Sequence, residues 1–262
     1  MRIEKWYLDC VGTDGAGIIG YAASIGLGPL ALRCAETLQW NAGEPAARHR
    51  FALGGRFPQE TADGVAWHCC AMAAGGQWRR RQAGMAAITL HNEPAGQIVW
   101  TCFCPAARAA VRIRDDVWEG SGYAERLVLT LPVDRLPFRE LRWGRFIADA
   151  HSCLWIEWKG AVKRRWFYHN GSLADAIAHG PNEMAWTGHR LRLDSGATLR
   201  TGCVTDTAFR GAPGLRRLLP RAVRGIEETK WCSRGVLTDP IGGEHAGWAI
   251  HEVAHFPQDR DR

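Results

Sequence analysis

The stretch from Arg142 to Gly171, RWGRFIADAHSCLWIEWKGAVKRRWFYHNG, constrains this chain more than any other. It packs four tryptophans, a tyrosine and one acid flanked by indoles into two strand-like runs. Over Ser152 to Trp158 the residues alternate, so a strand places Cys153, Trp155 and Glu157 on one face and Leu154, Ile156 and Trp158 on the other. Both faces are largely apolar. Such a strand has to be covered on both sides, which in an antiparallel protein means a core on one side and a second layer or a ligand cavity on the other. Glu157 is the misfit. Among indoles it is either paired with a cation such as Arg145, Arg164 or Arg165, or held neutral by a raised pKa and able to donate a proton.

The rest of the chain reads as short, regularly spaced strands. Ile3 to Val11 alternates Trp6, Leu8 and Cys10 against Lys5, Tyr7 and Asp9, and Thr13-Asp14-Gly15 turns it into Ile18 to Gly26, a hairpin signal. Leu30 to Trp40 continues as a strand. Further strand-like runs cover 48–57, 64–73, 77–90 and 97–103, punctuated by Gly-Gly and Asn-Glu-Pro. Glu125 to Leu131, ERLVLTL, is a strand closed by Pro132, and a boundary there divides the chain into halves 1–134 and 135–262. In the second half, Ser172 to Ala178 reads as one helical turn, 183–193 and 198–205 as strands, and Leu215 to Arg224, with Pro220 inside it, as a loop. Ile226 to Val236 and Gly247 to Phe256 close the series. No exact repeat is visible, but both halves carry similar numbers of strands. The pattern predicts an all-β chain of two barrel-like antiparallel modules in tandem.

Composition narrows the function classes. A net charge of +6 on 262 residues is too small an excess to define a nucleic-acid protein, and the basic clusters fall near turns. It would suit transient contact with an anionic membrane surface. No long apolar run or leader is present, so a cytoplasmic protein, monomeric or homodimeric, is expected. The nine cysteines lie mostly inside apolar runs, as small buried hydrophobes. Cys102 and Cys104 share a strand face, but no Cys or His pair at zinc spacing accompanies them, so no metal site is expected. The glycine pairs form no dinucleotide fingerprint, no Gly-x-Ser-x-Gly elbow accompanies His151 and Ser152, and no cofactor is expected.

The pattern W-G-R-F, H-S, W-I-E-W-x-G and an aromatic run ending in N-G, together with the closing GWAIHEVAHF, resembles the hydroxyneurosporene synthase (carotenoid 1,2-hydratase) and AttH-like family. That resemblance is strongest from Leu141 to Gly171. It implies two lipocalin-like β-barrels side by side and a hydrophobic pocket for polyene or isoprenoid-type substrates. It also implies cofactor-free chemistry, in which an alkene is protonated and then hydrated or cyclised. By the same resemblance Glu157 stands in place of an Asp, Trp155 in place of a Tyr and Trp143 in place of a Trp, while Leu141 replaces a His.

Protonating an alkene makes a carbocation, so such a site needs a neutral acid, a dry pocket and indole faces that stabilise a cation without attacking it. Glu157 is the first candidate donor and Glu252, on a face with Trp248 and Ile250, the second. Trp143, Arg145, Trp155, Trp166 and Tyr168 are the candidate wall. A guanidinium near Glu157 would act against this role by lowering its pKa. Two rivals stand beside acid catalysis of a hydrophobic small molecule. One is a pericyclic cyclase that works by shaping its substrate. The other is a non-catalytic lipid or pigment carrier, in which the tryptophans only fill barrel cores.

Overall fold

The computed structural model describes residues 2–28, 30–44, 47–175, 178–180, 182–208, 214, 217 and 219–257. The chain is all-β and lipocalin-like, built as two antiparallel sheets of ten strands each. The first sheet holds β1 (Arg2–Val11), β2 (Gly17–Leu27), β3 (Leu30–Trp40), β4 (Arg48–Leu53), β5 (Gln59–Thr61), β6 (Gly64–Cys69), β7 (Ala74–Arg80), β8 (Ile88–Glu93), β9 (Gly96–Ile113) and β10 (Asp116–Leu129). The second holds β11 (Glu140–Ala148), β12 (Ser152–Lys159), β13 (Arg164–His169), β14 (Ser172–Leu173), β15 (Ala178–His179), β16 (Glu183–Trp186), β17 (His189–Leu193), β18 (Ala197–Cys203), β19 (Glu227–Thr238) and β20 (Glu244–His255).

The two sheets share one topology. Strand order is β4-β3-β2-β1-β10-β9-β7-β6-β5 in the first and β14-β13-β12-β11-β20-β19-β17-β16-β15 in the second, with β8 added on β9 and β18 on β19. The repeat is one of topology and register, carried by very different side chains, which is why the sequence does not display it.

Local chemistry explains the first turn. Asp14 caps the first turn by accepting from the Ala16 amide at 3.0 Å, and Gly15 takes the φ of 88° that the turn requires. The run ending at Phe103 in the sequence reading continues instead to Ile113. Pro105 cannot donate to the ladder, and the strand accommodates it with irregular steps in the β9–β10 register around Ala124. Ser172 to Ala178 contains no helical turn among its described residues: Ser172–Leu173 and Ala178–His179 are short strands. The span 183–193 is two strands joined at Thr187-Gly188, and Arg221–Arg224 forms a helical turn within the expected loop.

Side chains alternate between three cores. The inside of the first sheet is filled by Trp6, Leu8, Cys10, Trp67, Trp78 and their neighbours, and the inside of the second by Phe146, Trp155, Phe167, Trp186 and theirs. Packing is tight enough that a Cβ at Gly144 would lie 2.2 Å from the Trp155 ring. The third and largest core lies between the sheets and draws residues from both, among them Tyr7, Tyr21, Trp100, Tyr123, Trp143, Ile156, Trp158, Tyr168 and Ile250.

Candidate active site

The central strands β1, β10, β11 and β20 turn one face towards the other sheet, and that face carries the buried charges. On β1 the odd residues Lys5, Tyr7 and Asp9 point to it; on β10, Tyr123 and Glu125; on β11, Trp143 and Arg145. On this face, buried polar contacts cross between the halves. Arg145 donates to both oxygens of Asp9, at 3.0 and 2.7 Å, and to the Trp248 carbonyl, and both side chains are fully buried. Arg200 reaches Glu36 at 2.6 Å while also holding Glu228 at 2.7 Å. The Trp143 Nε1 donates to Glu125 Oε2 at 3.2 Å.

Glu125 differs from every other buried acid of the described residues. Asp9, Glu36, Glu157, Glu228 and Glu252 each have an ion pair, to Arg145, Arg200, Arg165, Arg200 and Lys230 respectively. Glu125 has none among the described residues. Its Oε2 accepts from three neutral donors, Trp100 Nε1, Tyr123 Oη at 2.7 Å and Trp143 Nε1. Burial raises its pKa, and this outweighs the three donors and the more distant Lys5, all of which pull it down. The result is a carboxylic acid biased towards its neutral form inside an aromatic box. Arg145 stays cationic, because Asp9 more than offsets the desolvation that would lower it.

Lys230 sits on the same face with Nζ 5.5 Å from the Tyr7 ring and 5.6 Å from the Trp143 ring. Burial, with Lys5 and Arg200 nearby, brings its pKa down to about 7 against the pull of Glu228. Glu228 is held down to about 2, since Lys230 and Arg200 outweigh its burial.

Space for a ligand opens at the edge of this face. A groove of about 440 Å³ runs between the halves, lined by Met85 and Ile88 of the first and Tyr168 and Asn170 of the second. Its inner wall leads towards the acid: the Tyr168 ring lies 5.9 Å from that of Trp100, which donates to Glu125. A second cavity, of about 340 Å³, lies inside the second sheet against Trp155, Met184, Trp231 and His251. There His251 is pushed down to about 4, first by burial and then by Lys230, and its Nε2 lies 2.9 Å from Ser233 Oγ.

The residues singled out in the sequence divide between these two faces. Trp143, Arg145, Tyr168 and the half-buried Trp166 belong to the face between the sheets, as does Glu252 through its pairing with Lys230. Trp155 lies inside the second sheet. Glu157, opposite Arg165 in the β12–β13 register, forms a 3.0 Å ion pair with it on that same side. The expected proximity of Glu157 to Trp143 and Arg145 is therefore corrected: Trp143 pairs with Ile156 and Arg142 with Glu157. Arg145 instead serves Asp9. Sequence reasoning passed over Glu125 and Lys230. The available signal was the shared parity of Tyr123, Glu125, Leu127 and Leu129, a single acid on an otherwise aromatic and aliphatic strand face.

The two antiparallel sheets, one of them a curled half-barrel, form an AttH-like lipocalin fold. Among solved structures the chain resembles CghA at TM-score 0.57 and 10% identity, covering 100% of this chain and 90% of that one. It also resembles a putative AttH from Nitrosomonas europaea (0.56, 10%, 97% and 92%) and kievitone hydratase from Nectria haematococca (0.56, 8%, 97% and 88%). No family model and no curated protein matches the chain. No helix among the described residues is long and apolar enough to cross a membrane.

Proposed function

We infer that the chain is a cofactor-free enzyme that protonates an alkene of a hydrophobic small molecule, with Glu125 as the acid. The observation that carries this reading is the Glu125 carboxyl, buried without an ion pair among the described residues and hydrogen-bonded only to neutral donors. The O–H bond of Glu125 breaks as a C–H bond forms on the substrate, leaving glutamate and a carbocation. Trp100, Trp143 and Tyr168 present ring faces to that cation, each contributing about 0.5–2 kcal/mol depending on desolvation. The three donors on Oε2 stabilise the carboxylate as it forms. Water then adds and returns its surplus proton to Glu125, or a second double bond attacks and ring closure ends with proton loss to the same oxygen.

A hydratase with a similar fold, kievitone hydratase, supports the reaction class. The sequence resemblance to carotenoid hydratases favours a polyene or isoprenoid substrate. The test is mass spectrometry of organic extracts from cells making the wild type or Glu125→Gln in the native biosynthetic background. Loss of a general acid should lower product formation about 10²–10⁴-fold and leave an intermediate lighter by one water, or of equal mass for cyclisation. Unchanged product would favour a shape-driven cyclase, and the same molecule co-purifying unaltered with both proteins would favour a carrier.

A further inference from the structure

At one end of the second sheet, three histidines well separated in the chain converge. His151 precedes β12, His169 ends β13 and His189 opens β17, and one ligand atom from each lies within 4.8 Å of the others. His151 Nδ1 and His169 Nε2 are 3.0 Å apart, close to the roughly 3.3 Å between two nitrogens bound tetrahedrally to one ion at about 2.0–2.1 Å. We propose that His151, His169 and His189 form a binding site for a divalent transition metal ion of the zinc class.

The surroundings suit that role better than a chance contact of imidazoles. The Nδ1 of His189 lies 3.2 Å from the Thr187 carbonyl, and donation to it leaves Nε2 with a free lone pair, the usual outer-shell arrangement of a metal-ligating histidine. Trp186 stacks on the His189 ring at an interplanar angle of 1° and fixes its orientation. His245 adjoins His151 with ring centroids 4.2 Å apart, and Asp239 holds its Nε2 at 3.2 Å, so it borders the three-imidazole set with that nitrogen engaged. All three side chains are half-buried, leaving an ion a path from solvent. The sequence expectation of no metal site rested on spacing within single segments; here β12–β13 pairing brings His151 to His169, and His189 joins them from β17, which pairs with β16 and β19.

A bound ion would tie β12, β13 and β17 together and would stabilise the second sheet by mass action. The experiment is a Co²⁺ titration of chelator-treated wild type, His189→Ala and His255→Ala, read by visible d–d absorption, with Zn²⁺-dependent melting in parallel. One equivalent of Co²⁺ should give a saturating nitrogen-ligand spectrum that Zn²⁺ displaces, and Zn²⁺ should raise the Tm of wild type. His189→Ala should weaken binding by more than about tenfold, while the exposed His255→Ala should bind like wild type. Three results would overturn the proposal: no saturable absorption in wild type, equal binding by His189→Ala, or a thiolate charge-transfer band. That band would place the ion on a cysteine, such as the exposed Cys70 beside His68 in the first half of the chain.

Discussion

Glu125 and Glu252 occupy equivalent places in the two sheets, and their surroundings are opposite. Each lies on the strand that closes its sheet back onto the first, opposite an aromatic residue: Tyr7 faces Glu125 and Trp143 faces Glu252. On the other side, Glu125 pairs with Cys102 and Glu252 with Lys230. That one neighbour decides the chemistry. Lys230 gives Glu252 an amine partner that is charged below about pH 7, whereas a thiol with a strongly raised pKa leaves Glu125 with neutral partners. The same equivalence sets Asp9 against Arg145, which meet across the junction as a buried bidentate pair. One half thus supplies an acid whose pKa burial raises, while the other supplies cations that fasten the two together.

The largest way to break this arrangement is Arg145→Met. It strands Asp9 as a buried charge, and urea denaturation should show a loss of about 3–5 kcal/mol. Lys230→Met acts on the second member of the comparison. Between pH 7 and 10.5 the unfolded chain holds a proton on Lys230 that the folded chain lacks, so wild-type stability should rise with pH in that window. From pH 7 to 9 the rise should be roughly 2 kcal/mol, and it should be missing from Lys230→Met; a parallel rise in both proteins would show that the amine titrates normally. The smallest effect belongs to Glu157→Gln. Its partner Arg165 is 39% exposed, so the pair should contribute about 0–1 kcal/mol, and product formation should change less than about twofold. A large loss of activity there would return the acid to the inside of the second sheet and dissolve the contrast between Glu125 and Glu252.

Alternation along β12 was legible from residue order alone: Cys153, Trp155 and Glu157 do share one face and Leu154, Ile156 and Trp158 the other. The all-β class and the first hairpin followed from the same kind of local evidence. What residue order could not supply was which of those faces meets the other sheet. The β11–β12 register sets Trp143 against Ile156, and a slip of one residue would have set it against Glu157. An acid among indoles does occur, at Glu125, but its indoles come from β9 and β11 and the phenol from β10. Trp100 meets Glu125 within the first sheet, across the β9–β10 ladder, whereas Trp143 comes from the other half and meets it only once the sheets pack. Pro105 hid the continuation of β9 for a related reason, since a tolerated proline inside a strand depends on the irregular pairing its neighbours adopt.

The central claim is that Glu125 is a neutral carboxylic acid under conditions where an ordinary glutamate is ionised, and it can be measured without knowing the substrate. A pH series of infrared difference spectra, wild type minus Glu125→Gln, isolates the C=O stretch of this one carboxyl. The account predicts a protonated band that persists above the ordinary glutamate value of about 4.3 and disappears only as pH rises through the raised pKa. A band that vanishes near about 4.3, or none at any pH where the protein is folded, would contradict it.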